Sequence, residues 1–353
     1  MLTAQGVVVG LDNGGTMNNA TVVDPAGGFL VDRLVETPSR VREGPAVAVE
    51  ALAASLDGVL ALTGVDRRQV VAVGLGTPGP ASARGVLSSR GSTNFVHEGW
   101  RGFDVRGALE RRLGLPVVYS NDGRAAALYA HREHFGADAA HSSSVSMVVG
   151  TGLGGGVVID GSVVPGGAGM AGEVGHVPVP LDGVLEPDQP VPVCSCGRRG
   201  DAESVASLTA IGRNLLPYWL GRHPEHELAA LPVAQAARQV RGLAEREDPL
   251  ALRVLGQQAA ALGRLCTILS GVVDPGAFFV GGGVVEAAPW LRDRFVAQVR
   301  AAADLREEQA GAPFALVPDL DMAGARGAAL AALAGRGSGM TGTGPGVVAR
   351  TTI

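Results

Sequence analysis

The chain has 353 residues, 46% apolar and 18% charged, with a net charge of −5; this suits about two domains with a sizeable core, excludes global disorder, and argues against a nucleic-acid-coating or anionic-membrane surface. All 29 basic residues are arginine, which excludes Walker-type phosphate loops, protein-kinase folds and Schiff-base chemistry, because each has an obligatory lysine. No run approaches the roughly 18 unbroken apolar residues of a membrane span, and Met1 leads directly into strand-like sequence, so neither a transmembrane segment nor a secretory leader is expected.

In chain order, residues 6–11 are predicted as a strand and 20–24 as a second, with Asp12-Asn13-Gly14-Gly15-Thr16 in the turn between them. Residues 45–63 carry helical apolar spacing and end at Gly64, a plausible C-cap. A strand at 70–73 runs into Gly74-Leu75-Gly76-Thr77-Pro78-Gly79-Pro80. A helix at 105–113, a strand at 117–120 and a helix at 123–135 follow, and the alternation indicates an α/β protein. Near residue 145 the opening repeats: a strand at 145–149, a glycine turn at 150–156 and a return strand at 157–160, which suggests a duplicated fold. A Pro-rich insert at 178–192 precedes Cys194 and Cys196. Helices are expected at about 203–220, 232–245, 248–272 and 322–335, with a strand at 277–280 before Gly281-Gly282-Gly283.

Two segments match G-x-G-x-x-G, from Gly74 and from Gly150. A dinucleotide site needs these glycines between a strand and a helix. The first match contains Pro78 and the second returns as a strand, so a Rossmann oxidoreductase is not expected. A glycine turn between two strands can still hold phosphate through inward backbone N–H groups, with Thr16 or Thr151 adding a hydroxyl; the alternative is an ordinary tight hairpin. Cys194 and Cys196, one residue apart in a chain with three cysteines, look more like metal ligands than a crosslink. Cys266, in an apolar helix, reads as core. Asp122, between a strand and a helix, suits an N-cap or a general base, and the helix N-terminus favours its ionised form.

In this order, several motifs resemble the ROK (repressor, ORF, kinase) family of sugar kinases and sugar-responsive regulators, within the actin and hexokinase fold superfamily. They are Asp12 to Thr16, Gly76 to Pro80, Asn121-Asp122 with Ala125 to Ala127, the Gly150 run, and Gly169 to Gly172. Glu173-Val174-Gly175-His176, Cys194-Ser195-Cys196-Gly197 up to Gly200, Gly281 to Gly283 and Ala323-Gly324-Ala325 complete the set. The resemblance spans residues 10 to about 334. It implies the actin-like/hexokinase (ribonuclease H-like) fold, with two α/β domains around a cleft. The smaller would comprise 1–120 plus 322–336, the larger 121–321 with a zinc-type loop at 176–201, and 337–353 would be a flexible tail.

The resemblance further implies an ATP-dependent kinase for the 6-hydroxyl of glucose or a close relative. Kinases for N-acetylmannosamine, N-acetylglucosamine, fructose and allose share these motifs, as do non-catalytic regulators. The regulators carry a helix-turn-helix ahead of Asp12, for which the eleven preceding residues are too few. Asp122 would be the catalytic base, and Asn94, Asn121, Asp122, Glu173, His176 and Glu203 would contact the sugar. Asp12, acting through magnesium-bound water or phosphate, would bind the nucleotide with Gly14, Gly15 and Thr16. Gly150, Thr151 and Gly152 would do the same from the other half, and Gly281, Gly282 and Gly283 would let the nucleoside lie against backbone. His176, Cys194 and Cys196 resemble a zinc site whose usual fourth ligand, a cysteine, is here Asp201. Partners would be sugar and ATP, with no nucleic acid and no membrane, in a cytoplasmic homodimer. This chain departs from the family at Met17, where lysine is frequent, at Gly123-Arg124, commonly Ala-Asn, and around Val96 to Trp100, which bears on Asn94.

Overall fold

A computed structural model describes residues 6–79, 81–82, 84–88 and 95–337. Within them the first sheet holds β1 (Val7–Asn13), β2 (Met17–Val23), β3 (Glu36–Pro38), β4 (Val70–Thr77) and β5 (Val117–Asn121), ordered β3-β2-β1-β4-β5. The second holds β6 (Ser144–Val149), β7 (Leu153–Ile159), β8 (Ser162–Val163), β9 (Ala277–Gly282) and β10 (Phe314–Leu316), ordered β10-β9-β6-β7-β8. In each sheet the opening strand pairs antiparallel with the second and parallel with the fourth, and the fourth pairs parallel with the fifth. The repeat visible near residue 145 is therefore a repeat of the whole sheet.

Strand periodicity decides which helix covers which face. Val9, Leu11, Val73 and Leu75 point into a core with α1 (Pro45–Thr63) and α2 (Val105–Leu113). By length and composition α1 could cross a membrane. Its Leu52, Leu56 and Val59 are nevertheless buried in this core, while Glu50 and Asp57 form ion pairs with Arg112 and Arg67. It is a core helix. After α3 (Asp122–Phe135) come the short α4 (Glu203–Ala206) and α5 (Leu208–Ala210), a π turn at Ile211–Leu215, α6 (Leu216–Arg222), α7 (Val233–Glu245), α8 (Pro249–Val273), α9 (Pro289–Ala302) and α10 (Leu320–Gly337). The other face of the first sheet, with Val8, Val23 and Ala72, meets Ala329 and Ala332 of α10. In the second sheet Val145, Met147 and Phe278 join the core of α6–α9, while Ala277 and Phe279 face α3. Helices α3 and α10 thus lie against each other between the sheets.

Two expectations are corrected, and one helix stands where none was expected. The glycine turn at 150–156 is confined to Gly150–Gly152, and Gly154 to Gly156 belong to β7. A Cβ on Gly155 would come within 2.5 Å of Ser146 O and one on Gly156 within 2.5 Å of Ala127 Cβ, so these glycines serve sheet pairing and the approach of α3. The helix expected at 203–220 is broken at Ser207, which is extended (φ −101°, ψ 161°) and caps α5 by accepting from the Ala210 N–H. The unpredicted α9 buries only Leu291, Phe295 and Val299, a stripe too narrow among its arginines to stand out.

The crossing of α3 and α10 depends on backbone contact. A Cβ on Gly327 would collide with the Ala125 carbonyl, one on Gly10 with that of Ala325, and one on Gly74 with that of Ala328. Overpacking of this kind costs about 1–3 kcal/mol. Gly327→Ala is expected to lower Tm by about 5 °C in a thermal melt. By contrast Gly242→Ala, in α7 with open space around it, should leave Tm unchanged or raise it, because alanine favours helix.

Candidate active site

Ligands of open α/β sheets bind beyond the carboxyl ends of parallel strands. The register of β1, β4 and β5 pairs Asp12 with Gly76 and Thr77 with Asn121, and Asp122 follows as the first residue of α3. These residues share one edge. In the second sheet β6 pairs with β9 so that Val149 faces Gly282, which sets the Gly150–Gly152 turn beside Gly281, Gly282 and Gly283. Gly282 has φ +101°, and a Cβ there would strike the Val149 carbonyl. Only glycine fits.

Asn121 caps α3, its Oδ1 accepting from the Arg124 N–H at 3.3 Å. Asp122 Oδ1 accepts from the Gly123 N–H at 2.7 Å. Burial pushes the Asp122 carboxyl above its ordinary range, while backbone N–H bonds and Arg124 pull it back. Such a carboxylate is a stronger proton acceptor than one in water.

Asp12 lies between two glycines: a Cβ on Gly324 would come within 2.5 Å of its Oδ2, and one on Gly76 within 3.2 Å of its Oδ1. Oδ1 is buried and has no hydrogen-bond partner among the described residues. Burial and the charge of Asp122 push its carboxyl up to about 7. An orphaned acceptor beside a second carboxylate fits hydrated magnesium, a hard cation held through one or two carboxylates and its own waters. The Gly14–Thr16 turn is fixed from below, where Asn13 Nδ2 donates to Asn18 Oδ1 (2.7 Å) and the Ser39 N–H donates to Thr16 O (2.9 Å). In the second turn the Leu208 N–H donates to Gly150 O and Thr209 Oγ1 to Thr151 O (2.7 Å).

Glu173 precedes the short turn Val174–His176. A Cβ on Gly79 would lie 3.1 Å from Asn121 Nδ2 and 3.6 Å from Glu173 Oε1, so Gly79 lets these two side chains converge. Burial raises the Glu173 carboxyl, and His176 and Arg124 oppose the rise. Glu203 has its oxygens engaged: Oε2 accepts from the Leu153 N–H at 3.0 Å, and Cys194 Sγ donates toward Oε1 at 3.2 Å. It ties the second glycine turn to the cysteine loop. Asn94 lies outside the described residues.

The cysteine loop is a tight hairpin, with the Cys194 N–H donating to Arg198 O (2.8 Å) and Asp201 bridged to Pro178. His176 Nδ1 stands 3.3 Å from Asp201 Oδ2, 3.7 Å from Cys194 Sγ and 3.8 Å from Cys196 Sγ. All four donor atoms lie within 4.8 Å of one another. Zinc bonds of about 2.0–2.3 Å in a tetrahedron put ligand atoms roughly 3.3–3.8 Å apart, so this set of two sulfurs, one nitrogen and one oxygen fits zinc. Asp201 presents one oxygen to the cluster, and its Oδ1 accepts from the Ser204 N–H at 2.9 Å.

Gly79, Thr209 and Arg124 were not singled out as functional from the sequence. Gly79 sits inside a motif that matches the family pattern without a role attached to this glycine, and Thr209 carries no signal of its own. Arg124 does carry one, a cation in the first turn of a helix, where the dipole favours an anion.

The family profile described as ROK family matches residues 8–334. A glucokinase of Halalkalibacterium halodurans is 32% identical over 80% of this chain and 82% of its own length. The solved ROK hexokinase of Thermus thermophilus is 32% identical and superposes with a TM-score of 0.72 over 94% of this chain and all of that one. A ROK family glucokinase from Streptomyces griseus, solved in complex with glucose and AMPPNP, is 30% identical with a TM-score of 0.68 over 93% of this chain and 99% of that one. A profile that runs from β1 into α10, with relatives aligned along nearly all of that length, makes this chain a member of the ROK family.

Proposed function

We propose that this protein is an ATP-dependent hexose kinase that phosphorylates the 6-hydroxyl of glucose. One observation carries the assignment: Asp122, at the tip of α3, shares a sheet edge with Asp12 and Asn121 in a chain whose glucokinase relative aligns over 80% of it. Phosphoryl transfer needs alignment and charge neutralisation more than covalent participation. Asp122 accepts the hydroxyl proton as the sugar oxygen bonds to the γ-phosphorus. The bond from that phosphorus to the β-bridging oxygen breaks, and ADP leaves. Asn121, Glu173 and His176 bind the sugar hydroxyls, with Asn94 and Glu203 assigned to the same role on the family pattern. Gly14 to Thr16 and Gly150 to Gly152 supply N–H and hydroxyl donors to the phosphates, and Gly281 to Gly283 admit the nucleoside. Magnesium held near Asp12 supplies positive charge to the nucleotide phosphates. Zinc in the cysteine loop supplies a rigid anchor for His176, leaving Nε2 for the sugar. The two halves, 1–120 plus 322–336 and 121–321, form the domains that close over the sugar. A cytoplasmic homodimer follows from the family pattern.

Asp122→Asn is expected to reduce kcat at least 100-fold while the sugar Kd, measured by calorimetry, stays within about tenfold. More than about a tenth of wild-type turnover would remove Asp122 from the base role. A panel of glucose, N-acetylmannosamine, N-acetylglucosamine, fructose and allose in a coupled ADP-release assay should show the highest kcat/KM for glucose.

Protein purified without chelator should contain about one zinc per chain by metal analysis. Asp201→Cys should hold it more tightly against a chelator, because thiolate is the better zinc donor. Asp201→Ala should lose zinc and raise the sugar KM more than it lowers kcat. Metal-free protein with full activity would leave His176 anchored by hydrogen bonds alone.

A further inference from the structure

Arg124 lies two residues beyond Asp122 in the first turn of α3 and is only 5% exposed. A cation there opposes the helix dipole, and burying a guanidinium is costly unless its donors and charge are met. Its Nη1 donates to the Pro165 carbonyl at 3.3 Å, across from α3 to the loop that follows β8. Its stem packs where glycines leave room: a Cβ on Gly172 would lie 3.6 Å from Arg124 Cγ, and one on Gly156 3.1 Å from its Cα. Its charge reaches both Asp122 and Glu173.

The segment 165–172 has little else to hold it. Gly166, Gly169 and Gly172 have φ of +72°, +77° and +85°, and Met170 is exposed. Its internal bonds are turns: the Ala171 N–H donates to Pro165 O (3.3 Å), the Gly169 N–H to Gly166 O (3.4 Å) and the Glu173 N–H to Met170 O (3.4 Å). Arg124 and Ala171 therefore meet on one carbonyl, at the hinge of a loop that leads directly into Glu173 and His176. We propose that Arg124 is a positioning residue for the sugar: its bond to Pro165 holds the 165–172 loop against α3, and so sets the place of Glu173 opposite Asp122. The nucleotide turns are fixed by other bonds, at Ser39, Leu208 and Thr209, so Arg124 acts on the sugar side of the site and leaves nucleotide affinity unchanged.

This rests on the hexose-kinase assignment and is tested by steady-state kinetics on Arg124→Met, Arg124→Asn and Arg124→Lys, with hydrogen exchange on the same proteins without sugar. Arg124→Met and Arg124→Asn, which cannot donate to Pro165 from α3, should raise the glucose KM at least tenfold, with ATP KM within about twofold and kcat within about fivefold. Arg124→Lys, which keeps a charge and a long donor, should recover most of the loss. Amides of 166–173 should exchange faster in the first two variants, and those of α8 should not. An unchanged glucose KM, or equal rises in the glucose and ATP KM, would overturn the proposal. If Arg124→Met does not fold, Arg124→Asn against Arg124→Lys decides the matter. A wild type that phosphorylates no sugar would defeat the kinase assignment instead, and loop exchange would still report on Arg124.

Discussion

Two helices touching backbone to backbone between two sheets are the constraint on which the rest of this molecule depends. Gly327 of α10 faces the Ala125 carbonyl of α3, while Gly10 and Gly74 let α10 lie on the first sheet. Gly123 and Gly156 let α3 lie on the second. Each half keeps its own core on the far side of its sheet, so the halves meet through helices and share no strand. The same crossing brings Asp12, under Gly324 of α10, into the field of Asp122 at the tip of α3. A side chain inserted at the crossing would separate the halves and the two carboxylates together. Packing and chemistry are here a single constraint.

That constraint has an electrostatic consequence. Burial pushes Asp12, Asp122 and Glu173 upward together, and the charge of Asp122 adds to the rise at Asp12 and at Glu173. Many phosphate sites would place a lysine among them, and this chain has none. The compensation comes instead from the Gly123 N–H on Asp122 and from Arg124, and the orphaned Asp12 oxygen is where the proposed magnesium would add to it. Neither a backbone N–H nor a guanidinium gives up its proton in the working pH range. The positive charge that Arg124 brings to the cleft is thus fixed in amount, and the acids are left to titrate.

Sequence patterns made the strong elements legible because their signals are local. Pro45 at the start and Gly64 at φ +69° bound α1 where the apolar spacing predicts it, and α2 agrees equally well. The repeat was visible because both halves open with the same strand–glycine–strand pattern. Edge strands β3, β8 and β10 were not legible: at two or three residues each, they are strands only because a neighbour pairs with them. The site divides the same way. Asp12, Asn121 and Asp122 stand out individually, yet their sharing of one edge is a matter of strand register, which no local window contains. Gly79 and Arg124 act through segments far along the chain and show only as departures or as one glycine among many.

Asp201 shows why a departure from a family pattern must be weighed by geometry as well as by donor type. As a metal ligand it is weaker than the cysteine it replaces. It has two oxygens, however, and they face different ways: Oδ2 toward His176 and Cys196, and Oδ1 toward the Ser204 N–H. Ser204 Oγ also donates to the Asp201 carbonyl at 2.6 Å, so the start of α4 is bound to this residue twice. A thiolate offers a single, weakly accepting atom for both tasks, whereas the carboxylate has a second oxygen for the helix. The carboxylate therefore gives up some affinity at the cluster and gains a hold on α4. Glu203 opens that helix, and through Leu153 it fixes the second glycine turn. In this chain the link from the cysteine loop to the second glycine turn is kept by hydrogen bonds, and the proposed zinc would add to an arrangement that already stands.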